Sequence, residues 1–232
     1  MDAALVPVIE YQRIDGLWVV PDVCVGSHGP VRSVVLASKK QDLKSVHKVA
    51  LDESSRTSAT LIKIIFQEFL GIDPVWNKSI PPLEEMLMEN DAALIIGDPG
   101  MTFDRSGLYV YDLATLWNEY TGKGFVFAMW MLRDDTNRES LAIEFQRASE
   151  EGQAQLETIA NAYEQQLRLP RPELLEYLQK NITFRFDEDL REALDLYYRL
   201  AEKHGLIASI KPLKFVPLGQ NHSEFVSNSL SL

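Results

Sequence analysis

Apolar and polar residues fall in short alternating blocks through the first half of the chain. Ala3 to Val8 is a compact apolar run ended by Pro7 and Glu10. Val31 to Ala37 and Lys48 to Leu51 read as further strands. From Thr57 to Leu70 the spacing changes to the helical one, with Leu61, Ile64, Ile65 and Phe69 on one face and Gly71 as the stop. Ala92 to Ile96 returns to a buried-strand pattern, and Phe125 to Leu132 is a long apolar strand rich in aromatics. Strands alternating with helices predict an α/β architecture with mainly parallel pairing.

The second half has a different texture. Arg138 to about Gln166 is helical and rich in Glu, Gln and Ala, and Pro170 and Pro172 interrupt it. A short helix is predicted near Glu173 to Leu178. Asp187 is placed to cap a longer one running to His204, with Leu190, Ala193, Leu194, Tyr197 and Leu200 as its buried stripe and Gly205 at its close. From Lys211 to Leu232 there is little periodicity, which predicts an extended or poorly ordered tail.

One internal echo bears on domain organisation. Asp2-Ala3-Ala4-Leu5-Val6 recurs as Asp91-Ala92-Ala93-Leu94-Ile95, an acidic residue leading a buried strand each time. It is either chance similarity between two core strands or the mark of two lobes, each offering a strand end to a shared cleft.

Composition narrows the function classes. With 232 residues the chain makes one large domain or two small lobes. A net charge of −11 opposes binding to phosphate backbones and anionic lipid, so neither nucleic acid nor a membrane is expected as a partner. The N-terminus has no basic segment followed by an apolar one, and no apolar stretch approaches a membrane span, so a cytoplasmic protein is expected. The one cysteine, Cys24, excludes an internal disulfide and reads as a small buried hydrophobe. The four histidines, His28, His47, His204 and His222, are scattered, and no spacing suits a metal.

Candidate chemistry concentrates in the stretch from Val49 to Leu61. A buried strand ends, a hydroxyl-rich turn follows, and a helix begins. Backbone N–H groups at a helix start, with the positive end of the dipole, favour an anion. Ser54, Ser55, Thr57 and Ser58 add hydroxyl donors, and Arg56 adds a guanidinium fork suited to a carboxylate. Ser and Thr are also ordinary caps, but four hydroxyls and an Arg in five residues exceed what a cap needs. A second feature is Gly26-Ser27-His28-Gly29-Pro30-Val31-Arg32-Ser33, a punctuated loop feeding a strand. A third is Gly97-Asp98-Pro99-Gly100, which reads as a turn at a strand's carboxyl end, where open α/β sheets hold ligands. Aromatics from Trp117 to Trp130 read mainly as core, with one or two available to wall a pocket.

These segments, taken in order, resemble the menaquinone-biosynthesis family: Asp2 to Tyr11, Gly29-Pro-Val-Arg-Ser-Val34, Ser54-Ser-Arg-Thr-Ser58, Leu94-Ile-Ile-Gly-Asp98, and Tyr111-Asp-Leu with Trp117, Thr121-Gly and Phe125-Val-Phe-Ala-Met-Trp130. The Ser-Arg-Thr-Ser segment and the aromatic strand are similar to its chorismate dehydratase branch. The resemblance covers about residues 2 to 205. It implies a two-lobed type 2 periplasmic-binding-protein-like α/β fold. The long apolar strands flanking a self-contained βα pattern then predict residues 1–34 and 129–232 in one lobe and 35–128 in the other, with hinge crossings at the Ser33 and Phe125 strands. The resemblance further implies a cofactor-free lyase that dehydrates chorismate to 3-[(1-carboxyvinyl)oxy]benzoate at the start of the futalosine route. Ser33 is then the catalytic, substrate-contacting hydroxyl. Ser55, Thr57 and Ser58 are then carboxylate donors to substrate. The residues themselves add Asp98 at its strand end and Arg56, which either reaches the ligand or turns outward to pair with Glu53, and no metal is expected.

Family members begin with a further strand and helix carrying an Asn that faces the substrate. By that pattern an N-terminally truncated first lobe is expected, with the open strand position either empty or filled by the C-terminal tail or by a neighbouring copy in a homo-oligomer. The other function class consistent with the sequence is a non-catalytic or degenerate relative that holds a small aromatic or carboxylate ligand.

Overall fold

A computed structural model describes residues 2–52, 54–134 and 137–218. It holds two sheets. The four-stranded one has the order β1 (Ala3–Pro7), β8 (Phe125–Arg133), β2 (Leu17–Ser27), β9 (Thr183–Arg185). The five-stranded one has the order β5 (Val75–Ser79), β4 (Lys48–Asp52), β6 (Ala92–Ile96), β3 (Val34–Ser38), β7 (Tyr109–Asp112).

The mainly parallel pairing expected from the sequence is not found. Among the described strands only β4 pairs in parallel, with β5 and β6, and the other strand ladders are antiparallel; an isolated bridge, Val19 to Phe215, is also parallel. The connections supply the reason. Consecutive strand–helix–strand units keep β4, β5 and β6 in one direction. β3 and β8 instead arrive from the other sheet, and each enters between or beside strands that run the opposite way.

Several elements follow from local sequence. α9 (Glu188–Lys203) starts behind Asp187, whose carboxylate accepts the Leu190 N–H at 3.0 Å. It buries Leu190, Ala193, Leu194, Tyr197, Tyr198 and Ala201, while Leu200 stays half-buried. α2 (Arg56–Ile64) continues as a π-helical turn, Ile65–Leu70, and ends at Gly71 in the left-handed region at φ 70°. The helical stretch after Arg138 is two helices, α6 (Arg138–Ala154) and α7 (Leu156–Leu167), broken at Gln155.

The longest strand, β2, has no clear sequence signal because Pro21-Asp22 interrupts it. There the register against β8 shifts between Val19 and Cys24, and Asp22 takes φ 63°, so the pair forms a bulge inside the strand. Cys24 is buried just beyond it, and burial, with nearby Asp187 adding to the effect, pushes its thiol up to about 12, which keeps it protonated.

The tail is tied down as far as the structure describes it. Val19 N–H donates to Lys214 O at 2.8 Å and Val216 N–H to Val19 O at 2.9 Å. Residues 219–232, with His222, lie outside the described residues.

The main core runs through both sheets. Trp117 of α5 (Leu113–Thr121), Phe125 of β8 and Tyr197 of α9 meet edge to face at 5.1–6.4 Å. The Trp117 indole N–H donates to Gly124 O at 2.9 Å. Burying each such ring contributes about 2–3 kcal/mol, so these aromatics weld the crossings instead of walling a pocket. Tyr197 and Tyr198 carry the weld further, donating to Thr57 O at 3.0 Å and Val8 O at 2.8 Å.

Candidate functional site

Sheet register brings the sequence-predicted residues to one edge. Leu51 of β4 lies level with Leu94 of β6, Val34 of β3 with Ile96, and Val35 with Asp112 of β7. The carboxyl ends of β4, β6 and β7 and the start of β3 therefore share one side of the five-stranded sheet. Ser33, the turn before α2, and Asp98 all sit there. One strand separates β3 from β4, a spacing of roughly 10 Å.

At the start of α2 the turn is set by Asp52. Its carboxylate accepts the Ser54 N–H at 2.9 Å and the Ser54 hydroxyl at 2.7 Å, and its carbonyl accepts the Ser55 N–H at 3.1 Å. Ser55 is the N-cap residue, yet its side chain makes no capping hydrogen bond, and no acidic residue occupies the first turn. Ser55, Thr57 and Ser58 are buried. The Thr57 hydroxyl accepts a long hydrogen bond from the Ile9 N–H at 3.4 Å, which leaves its own proton to donate elsewhere. Ile9 belongs to α1 (Val8–Tyr11), next to the four-stranded sheet, so this helix start is lodged where the two sheets meet. Arg56 is exposed; pairing with Glu53, the alternative to ligand contact, falls on a residue outside the described ones.

Ser33 lies before β3, not in it. The expected strand from Val31 starts three residues later because Arg32 takes φ 65° and the Ser33 N–H donates to Val31 O at 2.8 Å, forming a tight turn. Asp112 clamps this turn, accepting from the N–H of Val31 at 3.2 Å and of Arg32 at 2.6 Å while it caps α5 through the Thr115 N–H at 2.9 Å. That role is readable afterwards in Asp112-Leu-Ala-Thr, an N-cap pattern that sequence reasoning passed over.

The Gly97-Asp98-Pro99-Gly100 turn is a short helix, α4 (Gly97–Thr102), and Asp98 is exposed on it. Gly97 N–H donates to Ser33 O at 2.8 Å, and a Cβ on Gly100 would come within 2.8 Å of the same oxygen. Glycine at position 100 therefore lets α4 rest directly on the Ser33 backbone.

Ser33 is buried, and its hydroxyl accepts a hydrogen bond from Tyr177 at 2.9 Å. Burial raises the Tyr177 pKa, the Ser33 contact offsets this in part, and the Asp98 charge adds to the rise. Tyr177 was not singled out in the sequence; it lies 144 positions from Ser33 and reads there as ordinary helix.

Elsewhere, a cavity of about 460 Å³ lies between Pro21, Asp22, Arg185, Asp187, Arg191 and Phe215, at the edge of the four-stranded sheet and away from these residues. Among the described residues no cluster of three or more His, Cys, Asp and Glu could hold a metal ion, and no helix is long and apolar enough to cross a membrane.

Comparison with known proteins gives this geometry its context. A chorismate dehydratase of Thermus thermophilus is 31% identical over 210 residues, 83% of this chain and 75% of that protein. A crystal structure from Archaeoglobus fulgidus superposes with a TM-score of 0.68 at 20% identity, covering 89% of this chain and 80% of that one. The periplasmic aliphatic sulphonate binding protein of Escherichia coli superposes with a TM-score of 0.57 at 17% identity, covering 90% and 77%. The α/β fold with two sheets is thus periplasmic-binding-protein-like. The sequence pattern of the family described as menaquinone biosynthesis matches residues 1–203, and the chain belongs to that family.

Proposed function

We propose that this protein is a chorismate dehydratase, a carbon–oxygen lyase that converts chorismate to 3-[(1-carboxyvinyl)oxy]benzoate and water. The observation that carries the reading is one shared sheet edge. It joins a buried serine hydroxyl to a helix start whose buried hydroxyls and dipole are not claimed by an acidic cap. Similarity to a chorismate dehydratase at 31% identity supports the same reading.

Chorismate is a dianion with a hydroxyl leaving group. Ser55, Thr57 and Ser58, with the first N–H groups of α2, receive a carboxylate. Exposed Arg56 supplies longer-range positive charge and Asp98 borders the opening. Ser33 donates to the departing hydroxyl. The proton leaves the ring carbon that bears the enolpyruvyl ether, and the enolpyruvyl carboxylate is the base that takes it. The C–H electron pair becomes ring π bonding as the neighbouring C–O bond breaks, and the departing hydroxyl takes up the proton from the enolpyruvyl carboxyl group and leaves as water, which restores the carboxylate. Aromatisation supplies the driving force, so the protein's contribution is orientation and polarisation. The two lobes are built on the two sheets, the chain crosses between them near Ser33 and just before β8, and substrate binds between them.

Incubation with chorismate, followed by proton NMR, should show the aromatic product accumulating. Thr57→Val should weaken chorismate binding by about 1–3 kcal/mol in calorimetry, because a hydroxyl donor to a charged acceptor is lost with little change in shape. No turnover by the unaltered protein overturns the dehydratase reading. The binding-protein-like fold favours one second reading, a non-catalytic receptor for a small carboxylate, which heat of chorismate binding without product would support.

A further inference from the structure

The helical arm that begins at α8 (Arg171–Glu176) and continues as a π-helical turn, Tyr177–Asn181, crosses from the last third of the chain to the loop before β3. Three of its side chains, four residues apart, face that loop. Arg32 pairs with Glu173 at 2.7 Å, the Tyr177 hydroxyl meets Ser33 Oγ at 2.9 Å, and Asn181 Nδ2 donates to Pro30 O at 2.9 Å. A spacing of four puts successive residues on one helix face, so the arm grips the loop at three points, Pro30, Arg32 and Ser33. Leu174 is buried in the same cluster as Met101 of α4, with Tyr177 packed against it, so the arm is anchored on the helix that rests on Ser33.

From this geometry we infer that Tyr177 is a positioning residue for Ser33, fixing the direction in which the serine hydroxyl donates; the inference rests on the dehydratase reading above. A serine hydroxyl rotates freely and has one proton to give. The phenol is the more acidic of the two hydroxyls, so it is the donor in this pair. Ser33 Oγ, with one lone pair occupied by Tyr177, turns its own proton away from the arm. Accepting one hydrogen bond also strengthens the bond it donates. The burial that raises the Tyr177 pKa keeps the phenol protonated and able to play this part. A π-helical turn fits such a task, since its extra residue shifts the side chains that follow and recurs at functional sites.

The test is a double-mutant cycle on chorismate turnover, run with protein in excess so that slow variants remain measurable. Tyr177→Phe keeps the ring and removes only the hydroxyl. Its kcat should fall about tenfold with KM within about twofold, as for a hydrogen bond felt mainly in the transition state. In a Ser33→Ala background the same change should have no effect on kcat. Glu173→Gln, which loosens the arm but leaves the phenol in place, should keep kcat within about twofold. An unchanged kcat for Tyr177→Phe, or an equal loss in both backgrounds, overturns the inference while leaving the dehydratase reading intact. Full activity in Ser33→Ala, or no turnover by the unaltered protein, overturns the reading of the site itself and this inference with it.

Discussion

α2 and α9 are both packed into the shared core, yet they begin in opposite ways. α9 starts behind Asp187, whose carboxylate takes the Leu190 N–H, and carries Glu188 and Asp189 in its first turn. Its orphan N–H groups and positive dipole end are answered from within the chain. α2 starts behind Ser55, which makes no capping hydrogen bond, and its first turn holds Arg56, Thr57 and Ser58 with no acid. The contrast separates two uses of one physical feature. A helix start supplied with its own carboxylates is structural, whereas the buried start of α2, which lacks them, is the one proposed above to receive a carboxylate from the ligand.

The strongest way to break the comparison is to make α2 begin as α9 does. Ser55→Asp places a carboxylate at the cap, where it accepts the N–H groups proposed for the ligand and repels an incoming anion. Chorismate affinity should drop by about a hundredfold or more, since one buried donor is lost and a like charge gained. Helix stability should hold or rise, because Asp is a strong cap. Calorimetry and thermal melting read the two effects separately, and unchanged affinity would remove α2 from the site.

The reverse change is smaller. Asp187→Ala strips α9 of its cap and of the His28 contact at 3.1 Å. Stability should fall by about 1 kcal/mol, seen as a lower melting temperature, with chorismate affinity untouched. Loss of affinity here would mean that the two helix starts are not functionally distinct.

How far this contrast could be read in advance depends on range. α9 was legible from its cap and stripe because both are local and strongly periodic. The hydroxyls before α2 were legible as types, but their burial against α1 was not, since Ile9 and Thr57 are 48 positions apart. The repeated Asp-Ala-Ala-Leu segments make the same point. β6 is a buried central strand, while β1 lies at a sheet edge with Leu5 43% exposed, a difference set by neighbours and invisible in five residues. Strand direction failed for a related reason: alternation of elements says nothing about a chain that crosses twice between sheets. Tyr177 and Asp112 were missed because each acts on the Val31–Ser33 turn from at least 80 residues away.

The smallest effect joins the far ends of the same two helices. Glu68, in the π-helical turn that extends α2, meets Lys203 Nζ and His204 Nε2, both at 2.7 Å, at the end of α9. The hydrogen bond from Lys203, then that from His204, lowers the Glu68 pKa below its ordinary value. A carboxylate with a depressed folded pKa stabilises the fold fully above its unfolded value, near 4.5, and that contribution is lost as pH falls through the folded value. Partial exposure and solvent screening limit it to about 0.5 kcal/mol. Glu68→Gln should therefore lower the melting temperature slightly at neutral pH, and the gap from the unaltered protein should close on acidification below the folded pKa. A gap that stays constant over that range would show that the ion pair does not tie α2 to α9, leaving Tyr197 and the aromatic core to hold the two helices together.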